Sequence, residues 1–135
     1  MPFQPQEPFD ERGRSPDGQL YDRARELMTG GSFDQAAEVF HQSAVAFPHF
    51  KTYELLGECY MRLKRFPEAI PYLAAATTLN RGFRAPLLLA ETWLELGHHA
   101  EATEAVDIAL SRNPKYKPAL LVRERLQSSS HEDVV

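Results

Sequence analysis

Apolar side chains along this chain recur at helical spacing in paired blocks, and the pairs themselves repeat. Ala36, Ala69 and Ala102 are 33 residues apart, and each is followed four residues later by a larger apolar residue, Phe40, Leu73 or Val106. Met28, Met61 and Leu94 fall on the same period, as do Leu27, Tyr60 and Trp93, then Phe50, Phe83 and Tyr116, and then Lys51, Arg84 and Lys117. Inside each period a short breaker splits the apolar positions: Gly30-Gly31-Ser32, then Lys64-Arg65-Phe66-Pro67, then Gly97-His98. Apolar residues three and four apart on both sides of a turn signal describe two amphipathic helices joined tightly. The pattern predicts first helices over 18–29, 50–63 and 84–96, second helices over 33–46, 67–80 and 99–112, and a last amphipathic segment over 116–127 with no partner after it. A fixed period of this length marks a stacked array, in which each unit buries its apolar face on its neighbour and the last must be capped.

Prolines refine the boundaries. Pro67, Pro86 and Pro118 suit a first helical turn, which has no use for their missing N–H. Pro71 falls where an interior hydrogen bond is needed, and predicts a bend or a delayed start in the second helix of the middle unit. Residues 1–16 and 128–135 are polar, rich in Pro or Ser and without periodicity, and read as disordered tails. The repeat domain then covers 17–127, with units at about 17–49, 50–82 and 83–115 and a capping helix at 116–127.

Composition narrows the function classes. With 135 residues, 43% of them hydrophobic and 25% charged, the chain has the makings of one folded array. A formal charge of -4 supplies no global field to hold nucleic acid or an anionic membrane. The single cysteine, Cys59, excludes an intramolecular disulfide or a multi-thiolate zinc site, and with no histidine near it in register it reads as an inert thiol. The first twenty residues hold no apolar run, and no stretch approaches the roughly 18 apolar residues of a membrane helix, so the expected location is cytoplasmic. His98 and His99 are adjacent in a turn, and no spacing puts paired ligands or carboxylates on one helical face. Gly30-Gly31 lacks the Lys-Ser or Lys-Thr of a phosphate loop. The chain is expected to be no enzyme and to need no cofactor and no metal.

The middle unit carries Tyr53, Leu56, Gly57 and Tyr60, followed by Phe66, Ala69 and Ala76. The first unit supplies Ala24, Gly31, Phe33, Ala36, Phe40 and Pro48 at matching places, and the third Leu89, Ala90, Trp93, Gly97, Ala102, Ala109 and Pro114. Over about residues 17–127 these resemble the tetratricopeptide repeat family, in which small residues let the two helices of a unit approach closely. Three departures stand out: a period of 33 against the usual 34 or so, Pro86 where a large aromatic is usual, and Arg81 where a proline usually closes the unit. The resemblance implies an all-α, right-handed superhelical array of three helix-turn-helix units plus a C-terminal capping helix, with the first helices lining a concave groove.

On that register the groove is expected to hold Tyr21, Arg25, Met28, Lys51, Glu54, Leu55, Glu58, Met61, Arg62, Arg84, Leu87, Leu88, Glu91 and Leu94, with Glu95, Lys117, Leu120 and Leu121 near it. Leu56, Tyr60, Leu63, Leu89, Trp93 and Leu96 already fill a core stripe, so Leu55, Met61, Leu88 and Leu94 are expected as exposed apolar anchors. Lys51, Arg84 and Lys117 recur at the head of successive first helices and are expected to pair with Glu54, Glu58 and Glu91. The resemblance implies a non-catalytic adaptor or chaperone-like module that holds an extended or helical peptide segment of a partner protein. Arg84 matches one basic place of the family's clamp for a terminal carboxylate, but the clamp's asparagines are absent, and Glu58 and Glu91 would repel such a ligand. Nucleic acid and membrane insertion are not expected, while homo-oligomers stay open. The alternative is a self-assembling scaffold stacked through terminal-helix residues Leu20, Leu120, Leu121 and Leu126.

Overall fold

A computed structural model describes residues 16–133. Every regular element in them is a helix: α1 (Pro16–Thr29), α2 (Phe33–Ala46), α3 (Phe50–Arg62), α4 (Phe66–Leu79), α5 (Arg84–Glu95), α6 (His99–Arg112) and α7 (Lys117–Asp133). Consecutive helices pack against each other, so α1–α2, α3–α4 and α5–α6 form three hairpins stacked in order, and α7 closes the array against α5 and α6. The architecture is the superhelical helix-hairpin array that the resemblance implied.

Each hairpin turns in the same way at positions one period apart. Gly31, Lys64 and Gly97 all take a left-handed backbone, with φ of 85°, 59° and 77°. The next residue's N–H then reaches back to close the preceding helix, Ser32 to the Leu27 carbonyl at 2.9 Å, Arg65 to Tyr60 at 2.8 Å and His98 to Trp93 at 2.9 Å. This arrangement satisfies carbonyls that a helix end otherwise leaves open, and glycine adopts it without steric cost. The middle turn holds it with a lysine.

The alanines and the larger residues of the 33-residue period meet in the core. Ala36, Ala69 and Ala102 are fully buried, as are Phe40, Leu73 and Val106 one turn further on. Small side chains at the first position bring the paired helix close, and the large ones fill the space beyond. Pro86, also fully buried, lies in the first turn of α5, where its missing donor is not needed.

Two expectations change. α4 begins at Phe66 and runs as one helix through Pro71, with no delayed start. Pro67 lies in the first turn, and both prolines are on the exposed side of the helix, so the one lost hydrogen bond falls on the solvent side. The capping helix is also longer than 116–127: α7 reaches Asp133, so residues 128–133 are helical and not a disordered tail. Apolar periodicity ends at Leu126, but no glycine or proline follows Pro118 to stop the helix. The expected disorder of residues 1–15 and 134–135 lies outside the described residues.

The missing proline at Arg81 has a substitute. Arg112, at the end of α6, directs one guanidinium nitrogen at three carbonyls, those of Thr77 (3.1 Å), Asn80 (2.9 Å) and Gly82 (3.0 Å). A cation thus gathers the open end of α4 and the loop into α5, where the helix dipole favours positive charge. No helix among the described residues is long and apolar enough to cross a membrane.

Candidate functional site

The odd-numbered helices form a row of their own, since α3 touches α5 and α5 touches α7, while the even-numbered helices show no comparable packing. The odd row is therefore the inner side of the curve. Its centre is a charge lattice. Glu54 is buried, and its Oε2 accepts from Lys51 Nζ at 2.6 Å and from Arg84 Nη1 at 3.0 Å. Arg84 Nη2 lies 2.8 Å from Glu58 Oε1, so one guanidinium from α5 ties two carboxylates of α3 and bridges the second and third hairpins. Burial lowers the Arg84 pKa, but hydrogen bonds and charge from Glu58 and Glu54 outweigh it and hold the group above its ordinary value.

Beside this lattice the inner row opens into a hollow of about 350 Å³, lined by Glu58, Met61 and Arg62 of α3, Phe66 of α4, Leu88, Glu91 and Glu95 of α5, and Arg125 of α7. Glu91 is half-buried, and burial pushes its carboxyl above the usual range; Glu58 and Glu95 push the same way, while Arg125 and Arg84 oppose them. A carboxyl whose folded pKa is raised binds its proton more tightly in the folded state, so its ionisation opposes folding as pH rises through that range. The hollow thus holds a carboxylate whose charge its surroundings under-compensate.

A family model described as tetratricopeptide repeat matches residues 21–82, the stretch from α1 through α4. The chain's first four helices are tetratricopeptide repeats. Its third repeat, α5–α6, keeps the register of the first two. Solved tetratricopeptide repeat structures superpose on it closely. The first repeat domain of Spaghetti (RPAP3), bound to the HSP90 peptide SRMEEVD, gives a TM-score of 0.82 at 19% identity, over 85% of this chain and 93% of that one. The Arabidopsis OM64 domain gives 0.80 at 16% identity, over 84% and 95%. The Yersinia enterocolitica type III secretion chaperone SycD, in complex with a peptide of the translocator YopD, gives 0.71 at 23% identity, over 82% and 86%. No curated protein matches the sequence.

Along this inner row the expected residues divide. Glu58, Met61, Arg62, Leu88 and Glu91 come together at the hollow between α3, α5 and α7. Tyr21 and Lys51 line a second hollow of about 460 Å³ at the start of α1, with Phe47, Pro48 and His49. Arg25 is exposed and lies over the Tyr21 ring at 5.9 Å, and Met28 and Leu94 are half-buried against the core. The expectation that Leu55 and Leu88 stand open as anchors does not hold: they are 8% and 7% exposed, and Leu87 is 4% exposed. α3 and α5 are each pressed between neighbouring helices on both sides, so their apolar faces are covered over a wider arc than one stripe. Phe66 and Arg125 belong to the hollow and were not foreseen. Arg125 follows Leu121 by one helical turn, so extending the groove register along α7 would have found it.

Cys59 is fully buried, and burial, helped by the charge of Glu58, pushes its thiol up to about 12. The thiolate is the reactive form. Ellman's reagent should therefore leave the native protein unlabelled and titrate Cys59 only in denaturant; labelling at the rate of an exposed thiol would contradict this placement. Among the described residues no histidine belongs to a group of three metal-binding side chains; His41 Nε2 is shared by the hydroxyls of Tyr60 (3.0 Å) and Tyr72 (3.1 Å), a contact that joins α2, α3 and α4.

Proposed function

We propose that this protein is a non-catalytic interaction module that binds a peptide segment of a partner protein along its inner face. The observation that carries the reading is the hollow between α3, α5 and α7. It is lined by Met61, Phe66 and Leu88 together with charged groups from three successive inner helices. Such a mixture of apolar lining and placed charge suits a peptide, whose side chains supply anchors and whose neighbours set register. Two of the similar solved structures carry a peptide of a partner in their names, which supports the same use of this groove.

Stacking through the terminal helices has less to work with than the sequence suggested. Leu126 is buried, Leu20 and Leu120 are half-buried against the core, and Leu121 is the one of the four that stands exposed.

The reading is tested by selecting binders from a random linear peptide library on the full chain and titrating them into ¹⁵N-labelled protein. Amide shifts should concentrate on α3, α5 and α7. Shifts confined to α2, α4 and α6 would place the binding surface on the convex side and overturn it.

A further inference from the structure

We propose that the hollow between α3, α5 and α7 takes a lysine or arginine side chain of the bound peptide, next to an apolar one, and turns away acidic anchors. This rests on the groove reading and gives it a chemical specificity.

Three carboxylates, Glu58, Glu91 and Glu95, meet at the hollow. Part of the positive charge around them is already engaged. Arg84 is tied to Glu54 and Glu58, and Arg62 lies over the Phe33 ring at 5.5 Å. Arg125 is the remaining guanidinium on the wall, and its field eases Glu91 without forming an ion pair with it. Among the described residues neither Glu91 nor Glu95 has an ion pair or a side-chain hydrogen bond. A half-buried carboxylate with like charges beside it is stabilised by any cation that enters from the groove. An entering carboxylate meets the opposite situation, with Glu91 and Glu95 beside it on a partly desolvated wall.

The apolar part of the lining selects further. Met61, Phe66 and Leu88 offer a surface for the methylene stem of lysine or arginine, whose charged head then reaches the carboxylates. At about 350 Å³ the hollow lies at the small end of ligand sites, which fits an anchor residue and its neighbour better than a whole folded surface.

The test uses peptides recovered from the random library on the full chain, with affinities from fluorescence anisotropy for wild type, the Glu91→Gln/Glu95→Gln double variant and Glu91→Arg. The recovered peptides should share a lysine or arginine beside a leucine, methionine or phenylalanine. Affinity should fall about tenfold or more in the double glutamine variant, the scale of a lost charge-assisted contact. Glu91→Arg should prefer the same peptide with its basic residue changed to glutamate. Both glutamine substitutions relieve repulsion, so the double variant should melt no lower than wild type, which separates lost binding from lost fold. Peptides that shift amides of α3, α5 and α7, yet need no basic residue and ignore the glutamine substitutions, overturn this inference and leave the groove reading intact. Peptides that bind the convex face, or a library that yields no binder, overturn both.

Discussion

Truncating Leu73 to alanine should lower the unfolding free energy by about 2–5 kcal/mol, and adding Gly57→Ala should cost less than the two single changes together. Leu73 is fully buried in α4, and it lies against the one residue of α3 that has no side chain. A Cβ at Gly57 would sit 2.5 Å from Leu73 Cδ2 and 2.6 Å from its Cγ, closer than packed carbons approach. Gly57→Ala alone therefore sets about 1 kcal/mol of gained helix propensity against about 1–3 kcal/mol of overpacking. In the double variant the new methyl enters space that Leu73 has vacated, so the expected coupling is about 1 kcal/mol or more. Urea denaturation followed by circular dichroism supplies all four corners of the cycle, with unchanged slopes as the check on two-state behaviour. Additive costs would mean that α3 and α4 do not approach each other through Gly57. Against a typical total stability of about 5–15 kcal/mol, the Leu73 truncation alone is a large fraction.

The second large effect belongs to Arg84. Its replacement by methionine should destabilise the protein by about 1–3 kcal/mol, below the 3–5 kcal/mol or so of a fully buried pair because the guanidinium keeps some contact with solvent. Glu54, whose side chain is 5% exposed, would be left with Lys51 alone, and Glu58 would be freed beside Glu91. The cost should reside in the stranded charge more than in the lost bridge, so Glu54→Gln combined with Arg84→Met should recover a good part of it. Amide exchange should locate the loss at the junction of the second and third hairpins, with α5 opening more readily and α1 little changed. Raising the salt concentration should alter the difference only slightly, because Glu54 is shielded from mobile ions. An Arg84→Met protein with wild-type stability would show the lattice to be incidental to the fold.

The helices and their order were legible because one chemical rule repeats along the chain. Ala36, Ala69 and Ala102 followed by Phe40, Leu73 and Val106 state three times where a helix must be thin and where it must fill space. Gly31 and Gly97 mark their turns openly. Lys64 holds the same left-handed backbone without the usual signal, and only its place in the period predicted the turn. These are local demands, of spacing along one helix and of backbone conformation at one residue, and a sequence displays them directly.

What the sequence could not display depends on neighbours far along the chain. It placed Leu55, Leu87 and Leu88 on the inner side of their helices, but whether they stay open is decided by the adjoining hairpins, and the array covers all three. It showed Arg81 in place of a proline, but not that Arg112, thirty residues away, would gather the same loop. It aligned Lys51 and Arg84 with the glutamates, but the packing of α3 on α5 determined that Glu54 receives both cations while, among the described residues, Glu91 and Glu95 form no ion pair. The helices and the turns were therefore legible in the sequence alone, since each needs only residues close in the chain. Which inner residues remain available to a ligand was decided by tertiary structure, because burial and ion pairing depend on which helices come to lie side by side.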